Sequence, residues 1–190
     1  MSNLTEIRWH GRGGQGVVTA AKLVAESALE QDKYFQAMPE YGAERMGAPI
    51  QAFTRIDDKP ISLHCNIENP NIVAVLDQTL LDVVDVTHGL TDDGVLLVNS
   101  GCDPQKIRED LSLTKGKVFT VDATRIAMET IGRPIPNTPM LGAMIKATGV
   151  IDLENVLDHL KRTFGKKFSE DVIKANIDAV ERAYKEVKGE

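Results

Sequence analysis

The chain has 190 residues, a formal net charge of -6, and 42 % hydrophobic and 26 % charged residues, the profile of an ordinary soluble globular protein with enough length for one sizeable core. No apolar run approaches the roughly 20 residues that span a bilayer, and the opening MSNLTEIRW carries no secretory signal, so a cytoplasmic protein with no membrane association is expected. The acidic balance gives no electrostatic reason for nucleic-acid binding, and Cys65 and Cys102 lack the CxxC or histidine companions of a zinc or iron–sulfur site, so no metal is expected on this chain.

The first unit reads as strand, turn and helix: EIRWH (6–10), a glycine loop, then a helix over 17–31. Val17, Ala21, Val24 and Ala28 recur at spacings of four, three and four, with Val18, Ala25 and Leu29 widening the stripe. YFQAM (34–38) predicts a second strand, and the proline- and glycine-broken segment 39–49 predicts irregular structure. QAFTRI (51–56) and ISLHC (61–65), flanking the turn-like Asp57-Asp58-Lys59-Pro60, predict an inserted β-hairpin.

The continuously apolar runs IVAVL (72–76), VLLV (95–98) and VFTV (118–121) predict strands buried on both faces of a parallel sheet. Asp77, Asn99 and Asp122 follow them, at the strand ends where ligands bind in open α/β sheets and where Asp and Asn also simply cap the next turn. Beyond them, 123–132 predicts a helix, and 134–139 a proline-punctuated connection with Ile135 and Asn137 extended. Helices follow over 140–149 and 152–164, then a last helix capped by Ser169, its seam formed by Ile173, Ile177, Val180, Tyr184 and Val187 and directed at the chain's own sheet. The fold class is α/β: a single domain over 1–190 with a Rossmann-like, doubly wound, mostly parallel sheet, an inserted hairpin and C-terminal helices.

Gly11, Gly13 and Gly16 satisfy G-x-G-x-x-G between a strand and a helix, a context in which backbone N–H groups approach a phosphate. The ribose-binding acid that a dinucleotide fold places at the end of its second strand is missing, since that strand ends Ala37-Met38-Pro39 and Glu40 comes beyond the proline. A stand-alone NAD(P) dehydrogenase is thereby disfavoured. The loop instead predicts an anion nest from Gly11, Arg12, Gly13, Gly14, Gln15 and Gly16. A purely structural role, with the loop packed on a partner backbone, is the competing reading. His10, His64, His88 and His159 are scattered, and no serine or cysteine sits in a nucleophile motif, so no catalytic residue is expected.

Gly11-Arg12-Gly13-Gly14-Gln15-Gly16, Tyr41-Gly42-Ala43-Glu44-Arg45 with Gly47-Ala48-Pro49, Asp77-Gln78-Thr79-Leu80-Leu81, Arg133-Pro134-Ile135-Pro136-Asn137-Thr138 and Met140-Leu141-Gly142-Ala143 together resemble the gamma subunit of 2-oxoacid:ferredoxin oxidoreductases, most closely the pyruvate branch. The resemblance implies a subunit of an enzyme that oxidatively decarboxylates a 2-oxoacid with coenzyme A and ferredoxin, giving acyl-CoA, carbon dioxide and reduced ferredoxin. It implies alpha, beta and delta partner subunits. These would carry thiamine diphosphate, Mg2+ and 4Fe-4S clusters, none held firmly by this chain. It also implies a substrate-access or interface role for Tyr41, Glu44, Arg45 and Asn137. Met46 stands where the family commonly has a second arginine, which weakens an anion clamp built from two guanidiniums. The related subunits of indolepyruvate and 2-oxoglutarate oxidoreductases fit the same residues.

Overall fold

Alternation along the first strand decides the layering. In β1 (Thr5–Arg12), Ile7 and Trp9 enter the larger hydrophobic core while Arg8 and His10 point to the opposite face, as the two-residue period of a strand requires. A computed structural model describes residues 4–40 and 47–190, and among these, seven strands form one sheet in the order β2-β3-β1-β4-β5-β6-β7. Here β2 is Tyr34–Pro39, β3 Pro49–Asp57, β4 Ile72–Val75, β5 Val95–Asn99, β6 Lys117–Val121 and β7 Lys188–Gly189.

β1, β4, β5 and β6 run parallel; β2, β3 and β7 pair antiparallel to their neighbours. From β1 the chain passes through α1 (Val17–Ser27) and a tight 3-10 turn to β2 and β3 on one side, then returns to β4 on the other. This reversal between β1 and β4 is a topological switch point, the place where doubly wound sheets open a crevice. The expected fold class is met.

The expected hairpin is not. Residues 51–56 do form a strand, but β3 pairs with β1 on one edge and β2 on the other. No edge remains for 61–65, which cross the sheet face irregularly so that the Leu63 carbonyl accepts from Arg55. The first helix also ends sooner than expected, at Ser27, with Asp32 in a left-handed turn.

Helices cover the two faces unequally. α1, α3 (Ala123–Thr130) and α4 (Asn137–Thr148) lie on the larger core, with α5 (Leu153–Gly165) and α6 (Glu170–Glu186) outside them, whereas α2 (Pro104–Asp110) and residues 78–86 cover Val73, Val75, Leu96 and Val98 on the other face. Asn137 opens α4 rather than extending before it, and Pro139 fits the first turn because the N–H it lacks would be unpaired there anyway.

α6 packs chiefly on α4, so its seam meets a helix where the sheet itself was expected. The buried line is Asn176, Ala179, Val180 and Ala183: of the expected seam Val180 is fully buried and Tyr184 and Val187 pack against the core, while the other buried positions are smaller or polar residues. Small side chains let the helices close: a Cβ at Gly142 would lie 2.0 Å from the Val180 carbonyl oxygen and 3.1 Å from the Tyr184 nitrogen. Gly142→Ala therefore forces two backbones apart. A loss of roughly 1–3 kcal/mol or more in unfolding free energy is expected from overpacking of this kind, measurable by urea denaturation against wild type.

Candidate functional site

The glycine loop sits at the switch point, between the carboxyl ends of β1 and β4. β1 runs on to Arg12, two residues further than expected, and the turn that follows is held from three sides. Within it, the Gln15 N–H donates to the Arg12 carbonyl at 3.1 Å, and the Arg12 N–H donates to Gln15 Oε1 at 2.8 Å. Across the crevice, Gln15 Nε2 donates to Asp77 Oδ2 at 2.7 Å, and Arg12 Nε lies 3.3 Å from the same oxygen. On the far side, the Gly13 N–H donates to the Ala48 carbonyl at 3.0 Å while Arg12 reaches the Gly47 carbonyl at 3.1 Å.

Gly14 and Gly16 have φ of 98° and 77°, in the left-handed region that a side chain disfavours. Gly14 is exposed with open space around it, whereas a Cβ at Gly16 would meet Asn137 Nδ2 at 2.6 Å. The structure thus brings Asn137 against the loop. Gly11, the other glycine of the motif, is buried within β1. Tyr41, Glu44 and Arg45 lie outside the described residues.

The loop's N–H groups are not all available. Gly13 and Gln15 spend theirs on Ala48 and Arg12, so among the described residues Gly14, Gly16 and the first turn of α1 offer donors for an anion. Arg12 is likewise engaged, since Nη2 and Nε also donate to Thr79 Oγ1 at 2.8 and 3.2 Å.

Of the three strand-end residues, Asp122 caps α3 by accepting from the Arg125 N–H at 3.0 Å, as the capping reading expects. Asn99 instead ties the end of β4 to the start of α3: Nδ2 donates to the Leu76 carbonyl at 2.8 Å, and Oδ1 accepts from the Thr124 N–H. Asp77 does two things at once. It caps the following 3-10 turn through the Thr79 N–H and also holds Gln15 and Arg12. Burial pushes its pKa up, but the hydrogen bonds from Thr79 and Gln15, with the Arg12 charge, outweigh this and hold it below the usual carboxylate value.

At the end of its strand His10 reads from the sequence as a packed core or edge histidine, and it is buried, but sequence reasoning passed over its pairing with Arg8. His10 is 2 % exposed, and its Nε2 accepts from Arg8 Nε at 3.1 Å, which places the imidazole proton on Nδ1. Burial, then the Arg8 charge, lower its pKa to about 4 against a weaker opposing pull from Asp85. The signal was present in the alternation of Ile7, Arg8, Trp9 and His10, but a four-residue pattern does not say which face lacks a helix.

The comparisons with known proteins converge. Residues 6–186 match the family model described as pyruvate ferredoxin/flavodoxin oxidoreductase. The chain belongs to this family. Pyruvate synthase subunit PorC of Thermotoga maritima is 51 % identical over 183 residues, covering 96 % of this chain and 94 % of the relative. The pyruvate/ketoisovalerate oxidoreductases common subunit gamma of Thermococcus kodakarensis is 51 % identical over 176 residues, 93 % of this chain and 95 % of the relative. The crystal structure of the Thermotoga maritima pyruvate oxidoreductase subunit PORC superimposes with a TM-score of 0.87 at 47 % identity, covering 98 % of each chain. Within the oxidoreductase family this is a gamma-type subunit, as the sequence resemblance implies.

Among the described residues, the metal groups that the resemblance implies find no fitting donor set. The chain's two cysteines, one exposed and one half-buried, do not make the four thiolates of a cluster, and among the described residues no three His, Cys, Asp or Glu side chains converge on a metal position. No helix among those residues is long and apolar enough to cross a membrane.

Two outcomes follow from this geometry. Asp77→Ala removes the acceptor of Gln15 and is expected to speed amide hydrogen exchange at Gly13 to Gly16, by an amount corresponding to the roughly 1–3 kcal/mol attached to an unsatisfied buried partner. His10 stays neutral in the folded chain down to about pH 4, while its unfolded counterpart protonates near about 6.5. The unfolded chain therefore binds the extra proton as pH falls through this window, and stability drops by up to about 3 kcal/mol. His10→Gln is expected to flatten that slope in urea denaturation series between pH 7 and pH 4.

Proposed function

We propose that this chain is the gamma subunit of an enzyme that oxidatively decarboxylates pyruvate in the cytoplasm. Coenzyme A and oxidised ferredoxin are the co-reactants; acyl-CoA, carbon dioxide and reduced ferredoxin are the products. The observation that carries this reading is similarity to PorC over almost the entire length of both chains. In this reading residues 1–190 act as one domain. The alpha, beta and delta subunits hold thiamine diphosphate, Mg2+ and 4Fe-4S clusters, which supply carbanion stabilisation and electron transfer.

The part left to this chain is binding and positioning. The N–H groups of Gly14 and Gly16 and the first turn of α1 form an anion nest, for a coenzyme A phosphate or for a carboxylate of a neighbouring subunit. Asp77, through Gln15, sets the loop's orientation before the anion arrives. Asn137, seated against Gly16, extends this surface, and Tyr41, Glu44 and Arg45 complete the approach to the active site. A second reading is favoured by the shared gamma subunit of the Thermococcus kodakarensis pyruvate and ketoisovalerate enzymes: this chain also serves more than one 2-oxoacid enzyme, the oxoacid side chain being read by other subunits.

Native purification is expected to recover an assembly containing thiamine and iron–sulfur groups; a lone homo-oligomer overturns the proposal. Gly14→Val tests the nest. The position has open space, so the variant meets no clash and disturbs only the backbone conformation, at a cost of about 1–3 kcal/mol. The expected result is a roughly tenfold rise in apparent KM for coenzyme A, or weakened assembly, of the size such a cost produces. Unchanged assembly, KM and turnover remove the nest from the mechanism.

A further inference from the structure

Among the described residues, no helix covers half of the sheet's second face. Over β4, β5 and β6 this face is apolar and covered, but over β1 and β3 it presents Arg8, His10 and Phe53 to a cleft of about 560 Å3. A second hollow of about 230 Å3 shares His10, Glu40 and Gln51 with the first. Together they follow β1 from Arg8, the register partner of Phe53, to the level of Arg12, the register partner of Pro49. Four residue steps of strand make a groove about 13 Å long.

Two arginines are buried on this face, and they differ in one respect. Arg55, 1 % exposed, has a carboxylate, with Nε donating to Glu6 at 2.8 Å. Arg8, 6 % exposed, has none among the described residues. Its Nε donates to His10 and its Nη2 to the carbonyls of Val86 and His88, while Nη1 has no partner among the described residues. Burial lowers the Arg8 pKa, and Asp85 counters this only through space. A largely buried guanidinium that makes no ion pair is costly, and an acceptor oxygen entering the groove offsets part of that cost.

The rim restricts what brings the acceptor. Glu40, Glu68 and Asp85 are exposed around the opening, so a polyphosphate or other free polyanion meets like charge on its way in. A small zwitterion leaves most of so long and open a groove unfilled. An extended peptide fills it and supplies both an acceptor oxygen and positive side chains.

We propose that this groove docks a basic, extended segment of a neighbouring subunit of the oxidoreductase assembly. A carbonyl or carboxylate of that segment accepts from Arg8 Nη1 and faces the His10 Nδ1–H, while its lysine or arginine side chains meet Glu40, Glu68 and Asp85. The inference rests on the multi-subunit reading given above.

The test is carboxyl footprinting with a carbodiimide and glycine ethyl ester on the free chain and on the purified assembly. Labelling of Glu40 and Glu68 is expected to fall about tenfold on assembly, because rim carboxylates paired with cations are withdrawn from reagent. A Glu40→Lys, Glu68→Lys double variant, co-expressed with the other subunits, is expected to weaken assembly about tenfold through charge reversal, whereas Glu154→Lys on α5 leaves it unchanged. Equal labelling in both states, an unaltered double variant, or the same loss from Glu154→Lys overturns the groove. Failure of the wild-type chain to enter any assembly overturns the multi-subunit reading itself.

Discussion

The hydrogen bond from Gln15 Nε2 to Asp77 Oδ2, 2.7 Å long, joins the ends of two parallel strands across the point where the sheet reverses its winding. A crevice at such a point is open by topology, because the crossovers on its two sides run in opposite directions. Left to itself, a turn with two left-handed glycines would have many shapes in reach. Asp77 removes that freedom through Gln15 and Arg12, and Arg12 passes the constraint on to Thr79 and Gly47. The start of α1, the seat of Asn137 and the position of 47–48 all follow from this one carboxylate. It does so as an anion, since the partners that place it also hold its pKa down.

The sheet's two faces answer to different demands. On the face of Ile7 and Trp9, apolar burial dominates, and even the indole N–H is satisfied internally by Thr54 at 3.1 Å. On the other, Arg8, His10 and Arg55 occupy positions where a free-standing domain would place aliphatic residues under a helix. Ion pairing explains Arg55, and carbonyl acceptors explain part of Arg8. Buried polar groups of this kind give little stability in comparison with packed apolar ones. Their placement makes sense when the face is finished by something other than this chain's own helices.

Much of the architecture was legible in the sequence because it rests on local pattern. Continuous apolar runs gave β4, β5 and β6, and a glycine loop between strand and helix located the switch point. What escaped depends on which edges and faces other segments have already taken. Residues 61–65 have the look of a strand but no free edge, since β1 and β2 flank β3. The seam of α6 was sought against the sheet, yet the closest approach is that of Gly142 on α4 to the backbone of Val180 and Tyr184, a use of glycine visible only once α4 lies beside α6. The candidate site was half legible. The glycine loop and Asn137 do meet, but the double duty of Asp77 and the pairing of His10 with Arg8 are properties of the assembled sheet.

Seen in three dimensions, the segments that carry the family resemblance share physical tasks more than chemical ones. Gln15 and Asp77 bind each other, Gly16 makes room for Asn137, and Gly142 lets α6 approach α4. None of these contacts moves a proton or an electron. Each fixes the position of a backbone segment, and position is what the proposed role asks of this chain. An error of about 1 Å in a positioning group is enough to cost a reaction roughly a hundredfold. A subunit that positions is therefore held to strict geometry, and among the described residues the strictness falls on glycines, amides and the half-buried Asp77 carboxylate.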